Sequence, residues 1–153
     1  MTATPDLTIA DVLPHAGRML LLDELRDHGP EHVICGVTIH TGTMFCDGIN
    51  GVPAWVGLEY MAQTVCAFSG VEEVRAGLAP SIGLLLGSRS YQCSAQWLPL
   101  GATLHVRADL LMRDDNDIVA FTCTIHENDR LLARGDIKGY RPKDVLALVG
   151  GSR

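Results

Sequence analysis

One long stretch, residues 53–76, constrains the fold more than any other feature, because its apolar side chains recur at helical spacing around most of its circumference. They form two overlapping sets: Trp55, Leu58, Ala62 and Val65, and Met61, Val65 and Phe68. Pro53 suits a first helical turn, where the amide hydrogen that proline lacks would have no partner. Gly77 marks the predicted end. We therefore expect the rest of the chain to wrap around this helix and bury most of its sides.

The segments on either side of this helix are typical of β-strands. Residues 8–13 predict a short helical turn stopped by Pro14, and two strands then precede the helix, at residues 18–28 and 32–40. A loop rich in glycine, asparagine and aspartate follows at residues 41–52. After the helix, apolar residues recur at every second position. This pattern indicates four more strands, at residues 81–97, 103–113, 117–127 and 130–141.

The strand at residues 103–113 indicates what kind of sheet these strands form. Apolar side chains lie at every second position from Leu104 to Met112, and three of the positions between them hold the polar residues His105, Arg107 and Asp109. A sheet with one buried face and one solvent-exposed face is typically antiparallel. With two strands, one long helix and then four strands, the sequence predicts a single α+β domain over residues 1–153, in which the sheet wraps the central helix.

Composition argues against several classes of function. The chain has 153 residues with 12 basic and 18 acidic side chains, and its net charge of −6 without a basic run argues against nucleic-acid binding. No apolar run is long enough to span a membrane, and the first residues lack a signal-peptide pattern. The five cysteines form no C-x-x-C pair, which predicts a reduced, cytoplasmic protein. No two histidines have metal-ligand spacing, so we expect neither a metal nor a cofactor.

Two polar residues in the long helix, Glu59 and Gln63, are candidates for chemistry. They are four apart and therefore share one face of the helix, in otherwise apolar or small surroundings. A buried carboxylate is costly unless it is paired or neutral, and desolvation favours the protonated form that serves as a general acid. Gln63 would hold its orientation. The alternative is a Glu59 that reaches solvent or the helix start, where the dipole favours a negative charge.

The predicted helix start is a second candidate feature. Its first amide groups, those of Ala54 and Trp55, lack helical partners and can polarise a carbonyl oxygen. The small residues Gly51, Ala54 and Gly57 would let a substrate come close to the backbone.

His15 differs from the other five histidines, which lie in strand or turn patterns and are typical of surface or edge residues. It follows Leu13 and Pro14 and precedes Ala16 and Gly17, just before the first predicted strand. An ordinary loop histidine remains the alternative to a catalytic one.

Three segments together resemble the 3-hydroxyacyl-acyl-carrier-protein dehydratases of fatty-acid synthesis. "LPHAGRMLLLDEL" at 13–25 resembles their LPHR-x-P-x-LL-x-D signature, and "VPAWVGLEYMAQ" at 52–63 resembles their PGVL-x-x-EAMAQ helix. "YQCSAQWLPLGATL" at 91–104 resembles their F-x-x-P-V-x-PGD-x-L strand and turn. The chain is most similar to a divergent branch associated with aryl-polyene pigment clusters. The resemblance implies a hot-dog fold, a long helix wrapped by an antiparallel sheet, with two such units paired.

The resemblance also implies roles for the residues above. The carboxylate at the position of Glu59 handles the leaving hydroxyl, and Gln63 supports it. The amide of Ala54 polarises the thioester carbonyl, so that Trp55 and Gly57 beside it are expected at the substrate. In the family, a histidine from a F-x-GHFP loop takes the α-proton across the dimer interface. This chain has "FCDGINGVP" there, without a histidine.

The missing histidine calls for a substitute base. His15 is the first candidate, because the family's LPH segment lines the acyl tunnel, and Asp47 in the shortened loop is the second. The sequence thus predicts dehydration of 3-hydroxyacyl thioesters, carried on acyl carrier protein or coenzyme A, to trans-2-enoyl thioesters, by a homodimer or a heterodimer with a paralogue. A hot-dog thioesterase and a non-catalytic acyl-binding subunit are the alternatives. Four cations are candidates for docking an acidic carrier protein: Arg89, Lys138, Arg141 and Lys143.

Overall fold

The computed structural model describes residues 6–15, 17–80 and 84–140. Two short helical elements come first, α1 at Ile9–Val12 and a 3-10 turn at Gly17–Met19, followed by β1 at Glu24–His28 and β2 at His32–Thr38. β3 at Gly51–Pro53 leads into the long helix α2 at Val56–Arg75. The later strands are β4 at Leu84–Cys93, β5 at Trp97–Pro99, β6 at Thr103–Arg113, β7 at Ile118–Glu127 and β8 at Arg130–Tyr140.

Six strands form one antiparallel sheet in the order β1-β2-β6-β7-β8-β4, and β3 pairs with β5 in a small second sheet. The helix α2 packs against one face of the large sheet, where it touches β2, β6, β7 and β8. Phe68 of α2 meets Phe121 of β7 edge to face, with ring centroids 5.2 Å apart, and both side chains are buried. The predicted α+β arrangement, one long helix covered by an antiparallel sheet, is confirmed.

The strands after the helix follow the period-two pattern apart from register shifts, which interrupt the β4–β8 and β7–β8 ladders and the end of β6. The predicted bounds of β6, β7 and β8 agree with the structure to within one residue. In β6, however, a β-bulge between Leu110 and Met112 inserts one residue, so that Leu110 pairs with Phe121 and Met112 with Ala120. A bulge reverses the alternation beyond it. Met112, predicted to face the core, is therefore 43% exposed.

Of the two strands before the helix, the first begins later than predicted, at Glu24, whereas the second begins at His32 as predicted and ends two residues earlier, at Thr38. Residues 18–23 lie outside β1, and within them the backbone amide of Leu21 donates to the side chain of Gln63 on α2. Pro53 is also not helical. It ends β3, where it pairs with Trp97, and α2 begins only at Val56.

The segment before β1 runs along α2 towards the start of the helix. At its beginning, the carbonyl oxygen of Val12 lies where a side chain at Gly70 would stand, so only glycine allows this approach. At its end, Met19 and Leu21 are hydrogen-bonded to Gln63, seven residues earlier on the helix. The N-terminal segment and the first turns of α2 are thereby brought together.

Candidate active site

Backbone contacts with a distant segment hold the start of α2. The amide of Ala54 donates to the carbonyl oxygen of Gln96, at 2.9 Å, in the turn between β4 and β5. The expectation that this amide is free is therefore wrong, because the small β3–β5 sheet occupies it. The next two amides, those of Trp55 and Val56, have no hydrogen-bond partner in the part of the chain that the structure describes. No side chain caps the helix either.

Gly57 in the first turn of α2 makes room for protein rather than for a substrate. A Cβ atom at this position would overlap the hydroxyl of Tyr91 and stand 3.0 Å from a methyl group of Ile125. Both residues belong to the large sheet. The expectation that Gly57 opens the backbone to a ligand is thus corrected, since the sheet covers that side of the helix. At Gly51, the space that a side chain would need is likewise occupied by backbone atoms of Leu98 and Leu100.

Glu59 is exposed in the single chain, whereas the sequence predicts a buried carboxylate. It lies one turn after Trp55, which is 64% exposed, whereas the residues that directly follow these two, Val56 and Tyr60, are buried in the core. Its position in the first turn places the negative charge where the helix dipole favours it. The face of α2 that carries Trp55 and Glu59 is therefore exposed in the described chain and can contact a ligand or another chain.

Gln63 is 1% exposed, and its hydrogen bonds determine which way its amide points. The oxygen accepts from the backbone amide of Leu21 at 3.0 Å, and the nitrogen donates to the carbonyl oxygen of Met19 at 2.8 Å. Since only the oxygen of an amide can accept, the nitrogen must face Glu59. It donates to the Glu59 carboxylate at 3.3 Å. The contact expected from the four-residue spacing is present.

Asp47 organises its own loop. Its carboxylate accepts hydrogen bonds from the amides of Ile49, Asn50 and Gly51 and from the side chain of Asn50, at 2.7–3.0 Å. These backbone bonds lower the pKa of Asp47 to about 2. A carboxylate with so low a pKa is a weak base, and its lone pairs are engaged. The structure therefore speaks against Asp47 as the substitute base.

An aromatic pair stands beside the helix start. Phe45, in the left-handed region with φ 70°, meets Trp55 edge to face with centroids 5.5 Å apart. Both side chains are at least half exposed, as is Ile49 in the same loop. Trp55, which the sequence assigns to the substrate side, therefore lies on an open apolar surface next to Glu59.

His15 lies in the segment that joins the Val12 contact at Gly70 to the Met19 contact at Gln63. Its ring is partly buried, and its Nδ1 atom is buried without a hydrogen-bond partner in the described ranges. Among those residues no hydrogen bond connects it with Glu59. Its approach to the carboxylate stays a prediction.

Other chemistry finds little support in the described part of the chain. It holds no group of three or more histidine, cysteine or carboxylate side chains placed to bind a metal ion. Burial raises the pKa of Cys35 and of Cys123 to about 12, so neither thiol is a nucleophile at neutral pH. None of the described helices is long and apolar enough to cross a membrane.

Four basic residues were predicted to dock an acidic carrier protein. Of these, Lys138 is exposed on β8, whereas Arg141, Lys143 and the side chain of Arg89 lie outside the described residues.

Two contributors to the site, Tyr91 and Gln96, do not stand out in the sequence. The Tyr91 hydroxyl donates to the carbonyl oxygen of Ala54 at 2.5 Å. A weak signal existed for Tyr91, because the hydroxyl of a tyrosine needs a hydrogen-bond partner once it is buried. None existed for Gln96, since only its backbone oxygen takes part.

Solved structures similar to this chain share its fold. The dehydratase heterocomplex ApeI:P from Xenorhabdus doucetiae aligns with a TM-score of 0.82 and 26% identity, over 97% of this chain and 99% of that one. Cj0977, a sigma28-regulated virulence protein of Campylobacter jejuni, has a TM-score of 0.62 and 13% identity, over 88% and 95%. A hypothetical thioesterase with coenzyme A from Streptococcus pneumoniae TIGR4 has a TM-score of 0.57 and 12% identity, over 76% and 86%. The hot-dog fold is confirmed.

The match at the level of sequence families is more specific. No curated protein sequence matches this chain. The sequence model of the ApeP-like family, described as ApeP dehydratase, matches residues 7–150, which is nearly the whole chain. The resemblance to a divergent dehydratase branch is thus confirmed, and the protein belongs to the ApeP-like dehydratase family.

Proposed function

We propose that this protein acts in the dehydration of 3-hydroxyacyl thioesters, releasing water and giving the trans-2-enoyl thioester. The observation that carries the proposal is the Glu59 carboxylate, held by the buried Gln63 one turn after Trp55, whose amide has no partner in the described chain. One helix end thereby offers an acid and hydrogen-bond donors, the two kinds of group that elimination next to a carbonyl requires. Membership of a dehydratase family supports the same reaction.

In the proposed reaction the amides of Trp55 and Val56 bind the thioester carbonyl oxygen and stabilise the negative charge that develops there when a base removes the α-proton. The bond between C3 and the hydroxyl oxygen then breaks, and the double bond forms between C2 and C3. Glu59 protonates the leaving hydroxyl, which departs as water.

The reaction also needs a base for the α-proton. His15 is proposed for this role because an imidazole nitrogen can accept a proton and the Nδ1 atom of His15 has no hydrogen-bond partner within the described ranges. A second arrangement takes the base from a paralogous subunit. The loop at residues 41–52 contains no histidine, and the similar Xenorhabdus protein is part of a dehydratase heterocomplex, which supports this arrangement.

We propose further that the substrate is carried on acyl carrier protein or coenzyme A and that the protein is a dimer in the cytoplasm. Within the part of the chain that the structure describes, the outermost strands of the large sheet, β1 and β4, each pair on one side only. Such edges are available for pairing with another chain. The five cysteines are free, which suits a reducing compartment.

The test is product analysis by mass spectrometry. The protein is incubated with 3-hydroxyacyl pantetheine thioesters of several chain lengths, alone and together with a paralogous dehydratase subunit. Loss of one water in either incubation supports the proposal, and activity only in the mixture assigns the base to the partner. Release of free thiol without an enoyl product would overturn it in favour of a thioesterase.

A further inference from the structure

Tyr91 touches the start of α2 at a single peptide group. Its hydroxyl donates a hydrogen bond of 2.5 Å to the carbonyl oxygen of Ala54. Burial raises the pKa of Tyr91, so the hydroxyl keeps its proton and acts as the donor. The same oxygen accepts a second hydrogen bond, from the amide of Gly57 at 3.0 Å. Both acceptor positions of this oxygen are therefore used.

The peptide group that carries the Ala54 oxygen also carries the amide of Trp55. In a planar trans peptide the C=O and N–H bonds point in opposite directions. A hydroxyl that holds the oxygen on one side therefore aims the Trp55 N–H at the other side. A hydrogen bond to the oxygen also polarises the peptide and strengthens its N–H as a donor. That N–H is one of the two without a partner in the described chain.

We infer that Tyr91 is a positioning residue, which orients and polarises the Trp55 amide towards the carbonyl oxygen of the substrate. The inference rests on the function proposed above, in which this amide binds the thioester carbonyl. Tyr91 contacts no reacting atom in this arrangement, and its effect passes through one peptide group.

The ring of Tyr91 is placed by two glycines. Tyr91 pairs with Gly135 in the β4–β8 ladder, and a Cβ atom there would stand 3.3 Å from its ring. On the other side, a Cβ atom at Gly57 would overlap the hydroxyl. Because neither neighbour carries a side chain, the ring lies between β8 and α2 with its hydroxyl at Ala54. The position of the hydroxyl is thus determined by the packing of the ring against the sheet as well as by its hydrogen bond to Ala54.

The test compares Tyr91→Phe, which keeps the ring and removes the hydroxyl, with Tyr60→Phe. Tyr60 is 1% exposed on the same helix, and its hydroxyl is buried without a partner in the described residues, which makes it a matched control. Binding is measured for two probes, 3-hydroxyoctanoyl pantetheine amide and an analogue in which a methylene group replaces the carbonyl. The protein is used alone or with its paralogous subunit, whichever binds the amide probe.

We expect Tyr91→Phe to weaken binding of the carbonyl-bearing probe roughly tenfold and to leave the affinity for the methylene analogue unchanged. Only the carbonyl-bearing probe can accept a hydrogen bond from the Trp55 amide. Tyr60→Phe should leave both affinities unchanged. A Tyr91→Phe protein that distinguishes the probes as well as the wild type does would overturn the inference while leaving the proposed function intact. If the wild type binds neither probe under either condition, the proposed function fails and the inference falls with it.

A second measurement needs no ligand. The amide resonances of Trp55 and Val56 and the hydrogen-exchange rate of the Ala54 amide are compared between wild type and Tyr91→Phe by NMR. We expect shifted resonances and faster exchange in the variant, with no change in Tyr60→Phe. Unaltered resonances at the helix start would contradict the inference independently of any substrate. Should Tyr91→Phe fail to fold, Gly57→Ala displaces the same hydroxyl with Tyr91 retained and is measured in the same two ways.

Discussion

The two ends of α2 are terminated by different means. At the C-terminal end, the amide of Leu78 donates to the Glu73 oxygen at 2.9 Å and that of Gly77 to the Val74 oxygen at 3.0 Å. Gly77 has φ 79°, and the two bonds together form a Schellman motif, in which neighbouring residues close the helix. At the N-terminal end no side chain caps the helix. Tyr91 and Gln96, about 40 residues further along the chain, hold it instead.

This difference separates stability from function within one helix. A terminus closed by its own neighbours has its backbone groups satisfied and has nothing left to bind a ligand. At a terminus held from outside through the Ala54 peptide groups, the amides of Trp55 and Val56 have no partner among the described residues. Changes at the N-terminal end should therefore act on turnover, and changes at the C-terminal end on folding alone.

The largest expected effect is that of Glu59→Gln, at the N-terminal end. The variant keeps the shape and removes the proton, so turnover should fall by roughly 10²- to 10⁴-fold. Because Glu59 is exposed, the free energy of unfolding should change little. Glu31→Gln, at an exposed turn, is the matched control, measured in the same dehydration assay. Full activity of the Glu59 variant would remove the carboxylate from the mechanism.

Gly57→Ala should be the most destabilising change at this end. The new methyl group overlaps the Tyr91 hydroxyl, which should cost roughly 1–3 kcal/mol in urea unfolding. In a Tyr91→Phe background the nearest obstacle is gone, so the same substitution should cost less. A double-mutant cycle gives the coupling. Strictly additive effects would mean that the hydroxyl does not occupy the space beside Gly57.

Gly77→Ala tests the C-terminal end. Space is open around this position, so only the backbone conformation opposes a side chain, and the loss should be about 1 kcal/mol. Gly77→Asn should lose less, because asparagine tolerates positive φ better. Thermal unfolding measures both, and turnover should be that of the wild type. A substantial loss of activity in a folded Gly77 variant would break the proposed division between the two ends.

The smallest effect concerns the loop before the helix start. The pKa of Asp47 is lowered from 3.8 to about 2 by backbone hydrogen bonds, so its charged form stabilises the fold. This contribution is complete above pH about 4 and is lost as the pH falls towards about 2. The stability difference between wild type and Asp47→Asn should therefore shrink between pH 7 and pH 3 in urea unfolding. A constant difference would show that the charge is not involved.

Much of the fold could be predicted because it depends on short-range patterns. The bounds of β6, β7 and β8 follow from alternating side chains, and the end of α2 follows from Gly77 and its neighbours. The pairing of Glu59 with Gln63 follows from four-residue spacing on a helix. The bulge that exposes Met112 has no such pattern, because it depends on how β6 is matched to β7.

The sequence by itself determined the helix, the strands around it, the family to which the chain belongs and the carboxylate on which the proposed chemistry depends. Only the tertiary structure decided that the amide of Ala54 is hydrogen-bonded, that the amides of Trp55 and Val56 lack a partner in the described ranges, and that Glu59 is exposed. The physical reason is one of distance along the chain. Periodicity and turn chemistry involve residues a few positions apart, whereas the state of each amide at the helix start depends on which distant strand packs against it.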